Sequence, residues 1–141
     1  MPLQLAEINY LAVLVAGLVA FLVGGVWYTA LFGKLWVRLQ GYSEAKIKEM
    51  QAAMSPPRFF GGMLLSYLVL ALVMALLLAN FTQPGMLTGA VLGFLLWLGP
   101  AAAIAMTGYI ASDKPFTLYL IDVGCQLVYL VLMGALLGAW H

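Results

Sequence analysis

Read only for polar and apolar positions, the chain is four long apolar runs separated by short polar punctuation. The runs cover approximately 8–32, 59–81, 85–110 and 116–140. At about 1.5 Å per residue, each is long enough to cross ~30 Å of hydrocarbon as a helix. The pattern predicts an all-α protein of one domain over 1–141, a bundle of four transmembrane helices. The sizeable polar segment is "GYSEAKIKEMQAAMSPPR", residues 41–58. Ser43 is placed to cap a helix, and Pro56-Pro57 to stop one. Ile47, Met50 and Met54 fall on one helical face, while Glu44 and Lys48 pair at i, i+4 on another. This predicts a short amphipathic helix over 43–54 lying in the headgroup interface, with its lysines toward anionic lipid. A docking surface for a cytoplasmic partner is the alternative reading.

Inside the runs, small residues recur at four-residue spacing, the pattern that lets helices approach closely in lipid. The first run carries Ala12, Ala16, Ala20 and Gly24, and the second Ala71, Ala75 and Ala79. The third carries Gly85, Gly89 and Gly93, with Pro100, Ala103 and Thr107 continuing roughly that face. The fourth carries Gly134 and Gly138, with Gly124 nearby on the wheel. Pro100 cannot donate to the carbonyl of Leu96, so a kink is expected there, either as a static bend or as a hinge. On the wheel of the fourth run, Asp122, Cys125, Gln126, Tyr129 and Met133 share one face and the glycines the other. Such a helix needs partners on two sides. It is therefore either central in a monomer or, most simply, part of a homo-oligomer, a dimer first of all.

Composition removes the soluble alternative. Of 141 residues, 65% are hydrophobic and 8% charged, with mean hydropathy +1.06, more apolar side chain than a small soluble fold can bury. The first run lacks a basic n-region and a clear small-x-small cleavage site, and Lys34 and Arg38 follow it, so it reads as a retained helix rather than a signal peptide. Lys34, Arg38, Lys46, Lys48 and Arg58 lie between runs one and two, and Lys114 between three and four. Four spans place both loops on one side, which by the positive-inside tendency is the cytoplasm, with both termini outside. Aromatic residues agree: Tyr10, Phe81 and Trp140 mark one boundary, and Trp27, Tyr28, Trp36, Phe59, Phe60, Tyr109 and Tyr119 the other. The single cysteine, Cys125, forms no intrachain disulfide. A net charge of +1 gives no reason to expect nucleic acid as a partner.

One residue resists the bland description. Asp122 lies six residues after Phe116, about 9 Å into the span, where an acid must face protein or water. Trp27 and Tyr28, Ser66 and Tyr67, and Thr107 and Tyr109 fall at a matching depth, which predicts a polar cluster of Asp122, Gln126, Tyr129, Tyr28, Ser66 and Thr107. In one reading Asp122 is a protonatable site of a small transporter or channel, with Gln126 and Tyr129 extending a polar path. In the other it accepts hydrogen bonds from Tyr28 or Ser66, or pairs with a basic residue, and holds the helix in register. Trp97, near mid-membrane, reads first as packing. No lysine lies in a predicted span, and the sole histidine is His141. The usual equipment of Schiff-base, haem, zinc or Ser–His chemistry is therefore not visible, and neither an enzyme, a cofactor nor a metal site is expected.

The stretches "GGVWYTALFGKLWVRLQGYSEAKIK" and "KPFTLYLIDVGCQLVYLVLMGALLGAW" resemble the family known as domain of unknown function 1761. The resemblance is strongest at "WYTALFGKLW", at "WLG" (97–99) and at "MGALLGAW". It implies a small four-helix protein of the bacterial inner membrane without an established activity. In the family pattern the position of Asp122 takes Asn or Asp, and Cys125-Gln126 stand where an aromatic–His-like pair often follows. The resemblance therefore implies no histidine chemistry in this chain. The expected function is a small transport or permeation unit around Asp122, with a solute or proton as cargo. A non-transporting assembly, scaffold or lipid-interacting protein is the alternative.

Overall fold

The computed structural model describes residues 3–141, and no strand occurs among the described residues. After a 3-10 turn at Leu5–Glu7, α1 (Tyr10–Val26) begins where Asn9 Oδ1 accepts the Ala12 N–H at 3.1 Å, which satisfies one of the free donors of a helix start. A π-turn at Trp27–Leu31 leads into α2 (Gly33–Gln40), closed by Gly41 at φ 74°. Then follow α3 (Glu44–Ala53), α4 (Pro56–Leu78), α5 (Met86–Leu96), a π-segment at Trp97–Ala103, α6 (Ile104–Ile110) and α7 (Phe116–Ala139). Four stretches are long and apolar enough to cross a membrane: Tyr10–Leu31, Pro56–Leu78, Met86–Ile110 and Phe116–Ala139. Their outer faces carry Leu65, Leu87 and Ile104 at 63, 78 and 66% exposure, side chains suited to lipid rather than water.

The second span begins at Pro56, not 59, and ends at Leu78, not 81. Pro56-Pro57 end α3 as expected, but they also start α4, with Pro in its first turn. The N–H a proline lacks has no helical partner in that turn, and its fixed φ is already helical. The larger departure is the two π-segments. In the π-register a carbonyl pairs with the N–H five residues on, as Phe32 N does with Trp27 O at 2.8 Å. Around Pro100, the same register frees the Leu96 carbonyl from dependence on a donor that proline lacks. At Pro100 the irregularity takes the form of a π-segment.

α7 is the central element, packed against α5, α1, α4 and α2. Its contact with α5 is backbone on backbone. A β-carbon on Gly89 would fall on the carbonyl of Gly134, one on Gly93 on that of Leu130, and one on Gly138 on that of Gly85. The glycine face that called for a second copy is thus filled within one chain. α1 uses its alanine stripe: Ala12, Ala16 and Ala20 are all 0% exposed, as is Ala71 of α4. Met74 and Met133 close the remaining space, also at 0%. α3 forms, with Ser43 Oγ accepting the Lys46 N–H at 3.1 Å; of its expected apolar face Ile47 is half-buried, while Met50 and Met54 are 42 and 43% exposed. The amphipathic element is instead α2, which exposes Lys34 and Arg38 and half-buries Leu35, Trp36, Val37 and Leu39.

The two ends of the bundle differ. Lys114 Nζ donates to the Gln40 carbonyl at 2.7 Å and lies 5.3 Å from the centroid of the Tyr42 ring, so the two basic loops meet at one end. At the other, Glu7, Asn9, Pro84, Trp140 and His141 surround a cavity of ≈ 210 Å³, which brings both terminal segments and the α4–α5 turn together.

Replacing Gly89 with Leu forces α5 off α7, and thermal unfolding in detergent is expected to show a loss beyond the ~1–3 kcal/mol of ordinary overpacking. Gly61 is the control, because a β-carbon there would meet nothing within 4 Å. Gly61→Ala should be neutral or stabilising by up to about 1 kcal/mol. Equal losses at both positions would contradict the packing described.

Candidate functional site

The site is built where α7 crosses the end of the first span. In the π-turn, the adjacent residues Trp27 and Tyr28 both reach α7. Trp27 Nε1–H donates to the Ile121 carbonyl at 2.9 Å, and Tyr28 O–H donates to Asp122 Oδ1 at 2.6 Å. The Trp27 ring lies against Gly124, where a β-carbon would come within 3.2 Å of it. Leaving the π-turn, the chain folds back at Gly33, whose missing side chain makes room for the Tyr28 carbonyl. That reversal carries Trp36 of α2 to the same carboxylate, and its Nε1–H donates to Asp122 Oδ1 at 3.0 Å. The Tyr28 and Trp36 rings meet edge to face with centroids 5.9 Å apart, so each donor helps to orient the other.

The third span answers from the far side of α7. Trp97, the first residue of its π-segment, donates Nε1–H to the Val123 carbonyl at 2.7 Å. Tyr119 of α7 returns a bond to the Ala102 carbonyl of that segment at 2.8 Å. Two indoles therefore grip α7 at the residues immediately before and after Asp122. A peptide carbonyl has two lone pairs and can accept these bonds in addition to its helical partner.

Beside Asp122 is an open cavity of ≈ 380 Å³ between the first span's end, α6 and α7, lined in part by Tyr28, Tyr109, Tyr119 and Gln126, and by Gln40, Ser112 and Lys114 at the basic end. Asp122 Oδ2 accepts no hydrogen bond among the described residues, and Gln126 Oε1 is buried without a partner. Asp122 Oδ2 is unbonded and not fully buried, so this wall suits a donor brought in from outside the chain. Among the described residues, no group of three His, Cys, Asp or Glu is placed to hold a metal ion.

Of the cluster expected from depth alone, Asp122, Tyr28 and Gln126 share one cavity wall. Ser66 and Thr107 do not join them. Both are exposed and donate within their own helices, Ser66 Oγ to Gly62 O at 2.9 Å and Thr107 Oγ1 to Ile104 O at 2.7 Å. The displacement of Thr107 has a definite cause. The π-segment breaks the regular helical phase, and Ala102 and Tyr109 turn inward while Ala103 and Thr107 are exposed. Tyr129 packs edge to face on Tyr67, with centroids 5.2 Å apart, above the cavity and against the apolar core. Pro100 is exposed on the outside of the π-segment. The basic residues Lys34 and Arg58 are not partners of the carboxylate, which is served by neutral donors. Trp36, Lys114 and Tyr119 escape a reading of the sequence as site residues because each looks like an ordinary boundary residue; the one available signal is that Trp36 follows Tyr28 across a glycine break.

A family model described as Protein of unknown function (DUF1761) matches residues 11–138, most of the chain, and the chain belongs to that family. The matched region contains Tyr28, Trp36, Asp122 and Gln126. No curated protein and no solved structure matches the chain.

Removing one hydroxyl tests the cluster. Tyr28→Phe should destabilise the protein by about 1–3 kcal/mol, the cost of withdrawing a donor from a partly buried carboxylate. Ser66→Ala and Thr107→Val should stay within about 0.5 kcal/mol, as exposed substitutions do. Unfolding midpoints in one detergent give the comparison, and a Ser66→Ala loss as large as that of Tyr28→Phe would refute the assignment.

Proposed function

We propose that this protein is a small permeation or transport unit of the bacterial inner membrane, non-catalytic, which accepts a solute from the side of the basic loops into the cavity beside Asp122. The observation that carries the reading is the free acceptor Asp122 Oδ2 on the wall of a cavity of ≈ 380 Å³ that Gln126 also lines. An acid in a span is costly unless it serves a partner or a passage. Here one oxygen is held by Tyr28 and Trp36 and the other is left to the cavity.

Beyond Gln126 the interior is filled by the Tyr67–Tyr129 pair, Met74 and Met133. In this reading, passage depends on movement of that layer relative to the site. The π-segments, with Pro100 as hinge, are the elements proposed to move, because they sit beside the site and their backbone bonding is already irregular. The positive-inside tendency supports a cytoplasmic basic end and both termini outside. A homo-oligomer enters the proposal only as an assembly of complete units, since α5 already covers the glycine face of α7.

A second reading, a lipid-interacting protein, is favoured by α3, whose Lys46 and Lys48 are set beside the uncovered Met50 and Met54. The two readings part at Asp122. Transport predicts that Asp122→Asn abolishes flux while leaving the unfolding midpoint nearly unchanged; lipid docking predicts little effect there and a loss of affinity for anionic vesicles on changing Lys46 and Lys48 to Gln.

The site's access can be tested before a cargo is known. In a Cys125→Ala background, Gln126→Cys in vesicles should react with a membrane-impermeant thiol reagent added on the basic-loop face, and Leu130→Cys should not. Protection of both positions would rule out the cavity as a route from that side.

A further inference from the structure

The chemistry of the cavity wall narrows the ligand class, and this step rests on the reading of the cavity as a solute site. Each hydroxyl proton supplied by Tyr28, Tyr119 and Ser112 is already committed: Tyr28 donates to Asp122, Tyr119 to the Ala102 carbonyl, and Ser112 to the Tyr109 carbonyl. What the wall offers a visitor is therefore the unbonded oxygen Asp122 Oδ2 and the side chains of Tyr28, Tyr109 and Tyr119, with the Gln126 amide beside them. We infer that the cavity binds a small organic cation, an ammonium or quaternary ammonium group, with its charge on Asp122 and its alkyl surface on the tyrosines.

Both halves of that surface are needed. A carboxylate at contact supplies the counter-charge in a partly desolvated place, and aromatic faces attract a diffuse cation through the ring quadrupole. A hard metal ion is a poor fit, because it demands six or more oxygens and no metal-holding group of acids forms among the described residues. Lys114 is the one cation at the cavity among the described residues, and it stands at the mouth, tethered to the Gln40 carbonyl and lying over Tyr42. Asp122 lies six residues inside α7, about 9 Å along the axis from its first residue, while the Lys114 ammonium is engaged by the Gln40 carbonyl. The same ammonium chemistry has two sources, a free solute or the headgroup of an amine lipid reaching in from the membrane edge.

The test is a set of titrations of the full chain in nanodiscs made only of phosphatidylglycerol, followed by tryptophan fluorescence, since Trp36 touches Asp122 directly. Choline is compared with its neutral isostere 3,3-dimethylbutan-1-ol and with acetate. Choline should bind at least about tenfold more tightly than either, a gap of about 1.4 kcal/mol, and Asp122→Asn should remove that preference. Gln126→Glu, which adds an acid to the orphaned position, should tighten choline several-fold and keeps the test decisive should Asp122→Asn not fold. Equal binding of choline and the neutral isostere, or tighter binding of acetate, overturns the cation class while leaving a solute site in place. Binding of none of the three at millimolar concentration overturns the solute-site reading as well. Repeating the titration with phosphatidylethanolamine in the disc separates the sources: suppression of choline binding assigns the ammonium to lipid, and unchanged binding assigns it to a free solute.

Discussion

A carboxylate several residues inside an apolar helix must be given hydrogen-bond donors, and meeting that requirement shapes one end of this protein. The donors are Tyr28 and Trp36, converging on a single oxygen at 2.6 and 3.0 Å. To bring both there, the first span has to widen into a π-turn and the chain has to fold back through Gly33 into α2. α2 is thus held against the bundle by the acid, while α3, which has no such tie, leaves Met50 and the following Met54 uncovered. Both donors are neutral and meet the same oxygen, so the other oxygen of the acid is left unbonded among the described residues.

The central position of α7 makes that arrangement possible, and it depends on missing side chains. Gly89, Gly93, Gly134 and Gly138 let the backbones of α5 and α7 touch, and Ala12, Ala16, Ala20 and Ala71 do the same for α1 and α4. In lipid there is little gain from hiding apolar surface between helices, so close contact of this kind is what holds them. With one face on glycine and the other on aromatic donors, α7 needs no second copy to be complete.

The indoles of Trp27 and Trp97 add a further layer. Each opens a π-segment, and each donates to a carbonyl of α7, at Ile121 and Val123. Irregular backbone is tolerated at membrane depth where protein re-satisfies it or where it lines a cavity. Here both apply: Tyr119 takes up the Ala102 carbonyl, and the cavity lies alongside. Both π-segments are gathered around the one acid of the spans, while α4 and α7 run as regular helix.

Quantities that add up locally were legible in the chain alone. Hydropathy summed over some twenty residues located four spans to within a few residues at each end, the spacing of glycine and alanine marked the contact faces, and the charges marked one end. Family membership, too, was legible in "WYTALFGKLW" and the closing glycine-rich stretch. Which side chains meet was settled by the packing of the helices. Ser66 and Thr107 lie at the right depth but face outward, and Trp36 supplies a donor from outside any span. Depth follows from counting residues, but facing follows from helical phase, and a single π-turn shifts that phase by a residue for everything after it. The wheel could show that α7 needed two partners. Only the folded chain could show that α5 and the aromatic donors are those partners, because closeness between helices is set by the backbone approach that the glycines allow.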